Sequence, residues 1–149
     1  MRQNKSNDPH TTEYDEDLPE HVIILNDWYN NSVAYKFAFQ IHADGREAAQ
    51  TKSILINGRA AEEAVYSRSG YSQSDCNRSG MKTPRAIFHV NKSRRYRFRL
   101  IHAGANDCPI QFSIESHNFS VIALDSNPTE KVENVEAVFL YPGKEHFIL

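Results

Sequence analysis

An all-β fold is predicted by three features of this chain: short apolar runs, turn residues between them, and side-chain alternation of period two. Val22-Ile23-Ile24-Leu25 stops at Asn26-Asp27 and reads as a buried strand. From Val33 to Ile41 the residues Val33, Tyr35, Phe37, Phe39 and Ile41 alternate with Ala34, Lys36, Ala38 and Gln40. That period predicts a second strand, although the alanines leave a short helix open. Asp44-Gly45 is a turn, and Ser53-Ile54-Leu55-Ile56 enters a further turn at Asn57-Gly58.

Between Ala60 and Thr83 two glycines and five serines stand among few large apolar residues, which predicts a long surface loop. Regular alternation then resumes. Ile87 to Val90 reads as one strand. In the next, Tyr96, Phe98 and Leu100 are expected to face inward and Arg95, Arg97 and Arg99 outward. Ile110, Phe112 and Ile114 alternate with Gln111, Ser113 and Glu115; Asn118 to Asp125, Val135 to Tyr141 and Phe147 to Leu149 complete the set. Such a series of short strands suggests a two-sheet antiparallel sandwich.

The 149 residues suit one domain, and 40% hydrophobic with 11% aromatic residues describe a folded globule. Residues 1–20, with acids at Glu13, Asp15, Glu16 and Asp17, read as an extended linker or lead-in segment; residues 21–149 read as the domain. A net charge of −2 gives no ground for a nucleic-acid or anionic-membrane partner. Arg94, Arg95, Arg97 and Arg99 form the one conspicuous basic cluster, read as the solvent face of a strand. The start, Met1 to Lys5, has no apolar run behind it, so no signal peptide is predicted. Nor does any segment approach the ~18 apolar residues of a membrane helix.

Five Asn-x-Ser sequons, at Asn4, Asn30, Asn77, Asn91 and Asn118, exceed the about one or two expected by chance and lean toward the secretory pathway. Asn30, Asn77 and Asn91 are the glycosylation candidates. Cys76 and Cys108 are the only cysteines. A bridge between them would contribute roughly 3–4 kcal/mol in the chain-entropy model, but nothing in the sequence shows that they meet.

No catalytic constellation is found. The histidines His10, His21, His42, His89, His102, His117 and His146 contain no His-x-His or His-x3-His pair, and no Met follows Cys108. There is no Cys-x2-Cys pair for zinc, no Gly-x-Ser-x-Gly elbow and no phosphate loop.

Read in order, several stretches resemble the middle cupredoxin-like domain of a laccase-type multicopper oxidase, nearest its animal branch. They are Asp8-Pro9-His10, Tyr14-Asp15, His21-Val22-Ile23-Ile24-Leu25-Asn26-Asp27-Trp28-Tyr29 and Ser53-Ile54-Leu55-Ile56-Asn57-Gly58-Arg59. Phe88-His89-Val90, Arg95-Tyr96-Arg97-Phe98-Arg99-Leu100-Ile101, Cys108-Pro109-Ile110 and Phe112-Ser113-Ile114 follow. His117, Val121-Ile122-Ala123-Leu124-Asp125 and Pro142-Gly143 close the series.

The resemblance implies a cupredoxin-like Greek-key β-sandwich or barrel. It implies copper in the full-length enzyme but none on this chain, because the outer domains of that family carry the ligands. His117 matches a family position that does not bind copper. The partners implied are the flanking cupredoxin domains, and the implied location is extracellular. The reaction implied for the whole enzyme is oxidation of phenols, diamines or metal ions with reduction of dioxygen to water. An acid that contacts substrate in some fungal laccases aligns with Pro109, which leaves Asp107 as the substrate-lining candidate. The family cysteine can also pair with one in the preceding domain, which would leave Cys108 unpaired here. Asp125-Ser126 replaces the usual Asp-Gly, and Glu145-His146-Phe147 replaces Arg-Tyr-Asp. The alternative reading is a stand-alone, non-enzymatic interaction module or a degenerate remnant.

Overall fold

The structure, a computed structural model, describes residues 8–29, 32–42, 53–59, 85–105 and 108–149. It contains eight strands and one α-helix: β1 (Val22–Trp28), α1 (Val33–His42), β2 (Ser53–Ile56), β3 (Phe98–His102), β4 (Ile110–Ser113), β5 (Phe119–Leu124), β6 (Asn127–Val135), β7 (Ala137–Leu140) and β8 (Glu145–Ile148). These fall into two compact units. The first takes in Met1–Ile24, Ile87–Ala103 and Asp107–Leu149, and the second Leu25–Ala86 and Gly104–Asn106.

In the first unit the main sheet runs β1-β3-β8-β5-β6, so neighbours in space are distant in sequence. β3 lies antiparallel to β8 with Arg99 opposite Phe147 and Leu100 opposite His146. β5 lies antiparallel to β8 on its other side, with Ala123 opposite Phe147. A smaller sheet pairs β4 with β7, setting Ile110 against Leu140 and Phe112 against Val138. Leu100 and Leu140 are completely buried, and Phe112 meets Phe119 with ring centroids 6.2 Å apart. The core thus sits where apolar positions of the alternating strands converge.

Pro19–His21 forms a 3-10 turn that feeds β1. His21 is buried, and its ring stands edge-on to Tyr96 and tilted against Phe98, each at 5.0 Å. Gly143 takes φ +76° in the turn before β8, where Lys144 N–H donates to Tyr141 O at 3.0 Å.

In the second unit Leu25 to Trp28 of β1 pair with Ile56 to Ser53 of β2. Asn57 and Gly58, at φ +50° and +75°, form the tight turn expected at that dipeptide, closed by two hydrogen bonds between Ile56 and Arg59 of 2.8 and 3.0 Å.

Three expectations need correction. Val33–His42 is an α-helix, not a strand. Ser32 caps it, its Oγ accepting the Tyr35 N–H at 3.3 Å, and the alanines favour the helix over an unpaired strand. Tyr35, Phe37 and Ile41 are exposed on it. Ile87–Val90 makes no ladder; Phe88 packs edge-on to Phe98 while Ile87 and Val90 are exposed. Finally, Arg97 and Arg99 do not face solvent. Arg97 is 1% exposed, because both faces of β3 are covered.

Asn127–Val135 is an additional strand that the apolar pattern does not announce. It is an edge strand, where Pro128 and polar side chains are tolerated. Asp44-Gly45 and the loop from Ala60 to Thr83 lie outside the described residues.

Candidate functional site: a buried arginine–aspartate cluster

The basic strand β3 and the acidic lead-in segment meet within the first unit. Asp15 and Glu16 N–H both donate to Arg95 O, at 2.9 and 3.2 Å, and Arg97 N–H donates to Glu16 O at 3.0 Å. This short parallel bridge, Glu16 beside Tyr96, aligns the carboxylates of one segment with alternate arginines of the other.

Arg97 is the hub. Its Nη1 pairs with Asp8 and its Nη2 with Asp17, and the side chains of Arg97 and Asp8 are 1% and 3% exposed. Arg99 Nη2 donates to both carboxylate oxygens of Asp17 at 2.8 Å. Two guanidinium groups thus face two carboxylates, so the buried charge is balanced.

Aromatic rings close the cluster. The Arg97 guanidinium carbon lies 4.6 Å from the Tyr14 ring centroid and 5.5 Å from that of Phe147; Arg99 lies 5.6 Å from Phe147. Tyr14 hydroxyl donates to Asp8 Oδ2 at 2.9 Å. Burial and that hydrogen bond to a carboxylate push the Tyr14 phenol up to about 12. For Asp8, burial pushes the carboxyl up, but hydrogen bonds from His10 N–H and Tyr14, with the Arg97 charge, bring it below the usual carboxylate value. The Nε–H groups of Arg97 and Arg99 are buried without an acceptor among the described residues.

Outer ion pairs flank this centre. Arg95 binds Asp15 at 3.0 Å, and Lys131 of β6 binds Glu13 and Glu133 at 2.8 Å each. His10 Nε2 donates to Thr129 O of β6 at 2.8 Å.

The histidines do not assemble a copper centre. His102 is buried and its Nδ1–H donates to Leu140 O at 3.0 Å. His117 Nδ1–H donates to Glu115 O at 2.8 Å, and His21 Nδ1 accepts Leu18 N–H at 3.2 Å. His102 Nε2 and His146 Nδ1 are buried without a partner among the described residues, and burial pushes the His146 imidazole down. Two imidazole nitrogens fall short of the His2Cys set of a blue-copper site. No group of three or more His, Cys, Asp or Glu side chains arranged for a metal occurs among the described residues, so they do not fit copper.

Of the residues singled out in the sequence, Asp107, Cys76, Asn30 and Asn77 lie outside the described residues. Cys108 is an exposed free thiol. Asn91 is exposed just before the turn at Lys92-Ser93, its N–H donating to the Tyr96 hydroxyl at 2.7 Å. The structure does not bring Cys108, Asn91 and the arginines together as one site. Asp8, Tyr14 and Asp17 are the members that sequence reasoning missed. The available signal was charge complementarity between the acidic run before Pro19 and the arginine run before Leu100.

The fold and this cluster define a cupredoxin-type β-sandwich domain whose described residues hold no metal centre. The multicopper oxidase family matches residues 19–148, and the chain belongs to that family, which is copper-dependent. Laccase-4 of Thanatephorus cucumeris is 30% identical over 145 residues, 96% of this chain and 24% of the relative. A laccase of Trametes hirsuta is 32% identical over 120 residues, 80% of this chain and 18% of the relative. Among solved structures, a mutant laccase from B. aclada superposes with a TM-score of 0.64 at 26% identity, covering 91% of this chain and 22% of that one. Fet3p, a multicopper oxidase that functions in iron import, shares the fold with a TM-score of 0.65 at 19% identity, covering 95% and 22%. The chain spans about a quarter of the length of the curated relatives it matches.

Proposed function

We propose that this chain is the middle cupredoxin-like domain of a laccase-like multicopper oxidase of the animal branch, and that its own role is structural. On this reading it spaces flanking cupredoxin domains and forms part of a substrate wall, with Asp107 the residue named for that wall. The assembled enzyme oxidises phenols, diamines or metal ions while dioxygen is reduced to water. It is extracellular, with exposed Asn91 among the glycan acceptors.

One observation carries the reading. A family match over residues 19–148 coincides with the lack of any gathered metal-ligand set among the described residues. A domain that bore copper would need those donors preorganised in its core. The animal-branch placement rests on the spelling of the ordered motifs from His21 to Tyr29 and from Arg95 to Ile101.

The test is to load the purified chain with copper, record its visible spectrum, and follow dioxygen consumption with a phenol present. No band near about 600 nm and no oxygen uptake are expected. A blue copper–thiolate band would overturn the structural role.

A further inference from the structure

Residues 8–17 are fastened to β3 and the residues before it by a few main-chain bonds and by buried charge. Three main-chain bonds join Asp15 and Glu16 to Arg95, and Arg97 to Glu16. Tyr14 is the one apolar-bodied side chain of the segment that is buried. Its other deep contacts are carboxylates, Asp8 on Arg97 and Asp17 on Arg97 and Arg99. The body beneath is held differently, by a core that includes Leu100, Ile122, Leu140, Phe147 and Ile148 and by antiparallel ladders joining β3 to β8 and β8 to β5.

These two modes of attachment respond differently to protons. A guanidinium keeps its charge at any accessible pH, whereas a carboxylate loses its own in acid. We propose that residues 8–17 are an acid-released strap, which loss of the carboxylate charge opposite Arg97 detaches from β3 while the two-sheet body stays folded. Once the aspartates are neutral, Arg97 would be a buried charge with no counter-ion, and opening the strap returns it to water.

The groups facing these aspartates are few. β3 presents Arg97 and Arg99, with Arg95 beside Asp15. β8 presents Phe147, which does not titrate, and β6 presents Lys131, which pairs with Glu13 and with Glu133 of its own strand. The strap itself adds Tyr14 and His10 around Asp8. Among the described residues, no carboxylate of the body pairs with Arg97 or Arg99 to take over from Asp8 and Asp17. The lowered Asp8 carboxyl agrees in sign: its contribution is present above the ordinary aspartate value and lost as pH falls through the depressed one, below about pH 4.

Amide hydrogen exchange on the whole chain, followed by NMR while the pH is stepped from about 7 to about 3, separates strap from body. The strap reporters are the amides of Asp15, Glu16 and Arg97; the body reporters are those of Ser120 and Leu149, bonded to each other's carbonyls across β5 and the end of β8. After correction for intrinsic rates, strap protection is expected to fall at least about tenfold in acid while body protection persists. Joint replacement by Asp8→Asn and Asp17→Asn is expected to release the strap at neutral pH, and Asp15→Asn, on the exposed pair, to leave it closed. Loss of both sets at one pH, or strap protection that lasts until the body melts, would overturn the proposal. If the double variant does not fold, the wild-type titration alone decides.

Discussion

Arg97 and Asp8, 89 residues apart in sequence, form a buried ion pair that joins the lead-in segment to β3. Asp17 shares the same guanidinium and also engages Arg99, so one side chain holds both ends of residues 8–17. Replacing such pairs by apolar groups can be neutral, but removing one partner leaves an uncompensated buried charge. The cluster therefore constrains substitution more than it adds net stability.

Arg97→Met is expected to cost about 3–5 kcal/mol in urea denaturation, because it strands Asp8 and Asp17 without their cation. Arg95→Met, which breaks only an exposed pair with Asp15, is expected to leave the midpoint within error. Equal losses in the two variants would contradict the burial argument.

Tyr14 carries the alkaline limit. Its phenol pKa is raised to about 12 from an ordinary 10. A proton held more tightly in the folded state means that its contribution is complete below about pH 10 and is lost as pH rises toward 12. Absorbance titration near 295 nm (roughly the phenolate band) should show one late-titrating tyrosine that disappears in Tyr14→Phe.

Leu100 is fully buried between β3's neighbours, and Leu100→Ala is expected to cost about 2–5 kcal/mol by lost transfer and residual cavity. Thermal denaturation of the variant measures it. A shift as small as that of a surface substitution would show that the core closes over the site.

Ser126 occupies φ +63° in the turn between β5 and β6, where the sequence has Asp125-Ser126 instead of the family's Asp-Gly. Ser126→Gly relieves the left-handed strain but forfeits the 2.7 Å bond from Ser126 Oγ to Glu145. That bond is exposed, so relief is expected to win by about 0.5–1 kcal/mol, read as a higher urea midpoint.

β4 was legible because period two and burial coincide at Ile110 and Phe112, whereas β1 and β5 were legible as short apolar runs, Val22 to Leu25 and Val121 to Leu124. The Asn57-Gly58 turn was legible for the same local reason. α1 was not, since a spacing of apolar residues that suits a strand carries little weight where Ser32 caps a helix and no partner strand is offered. β6 was hidden by its polarity, which an edge strand permits. The arginines misled because alternation was equated with one wet face. Here the second face of β3 is covered by a polar segment whose carboxylates replace water. Such pairing over some eighty residues is a tertiary fact, signalled in the sequence only by opposite charge runs.

No copper donor set is gathered among the described residues, and copper stoichiometry tests the structural role most directly. The chain would be equilibrated with excess copper, passed through a weak chelating resin, and its metal counted per protein. Far less than one copper per chain is expected. One retained copper per chain, lost on joint replacement of His102 and His146 in a variant that stays folded, would contradict it.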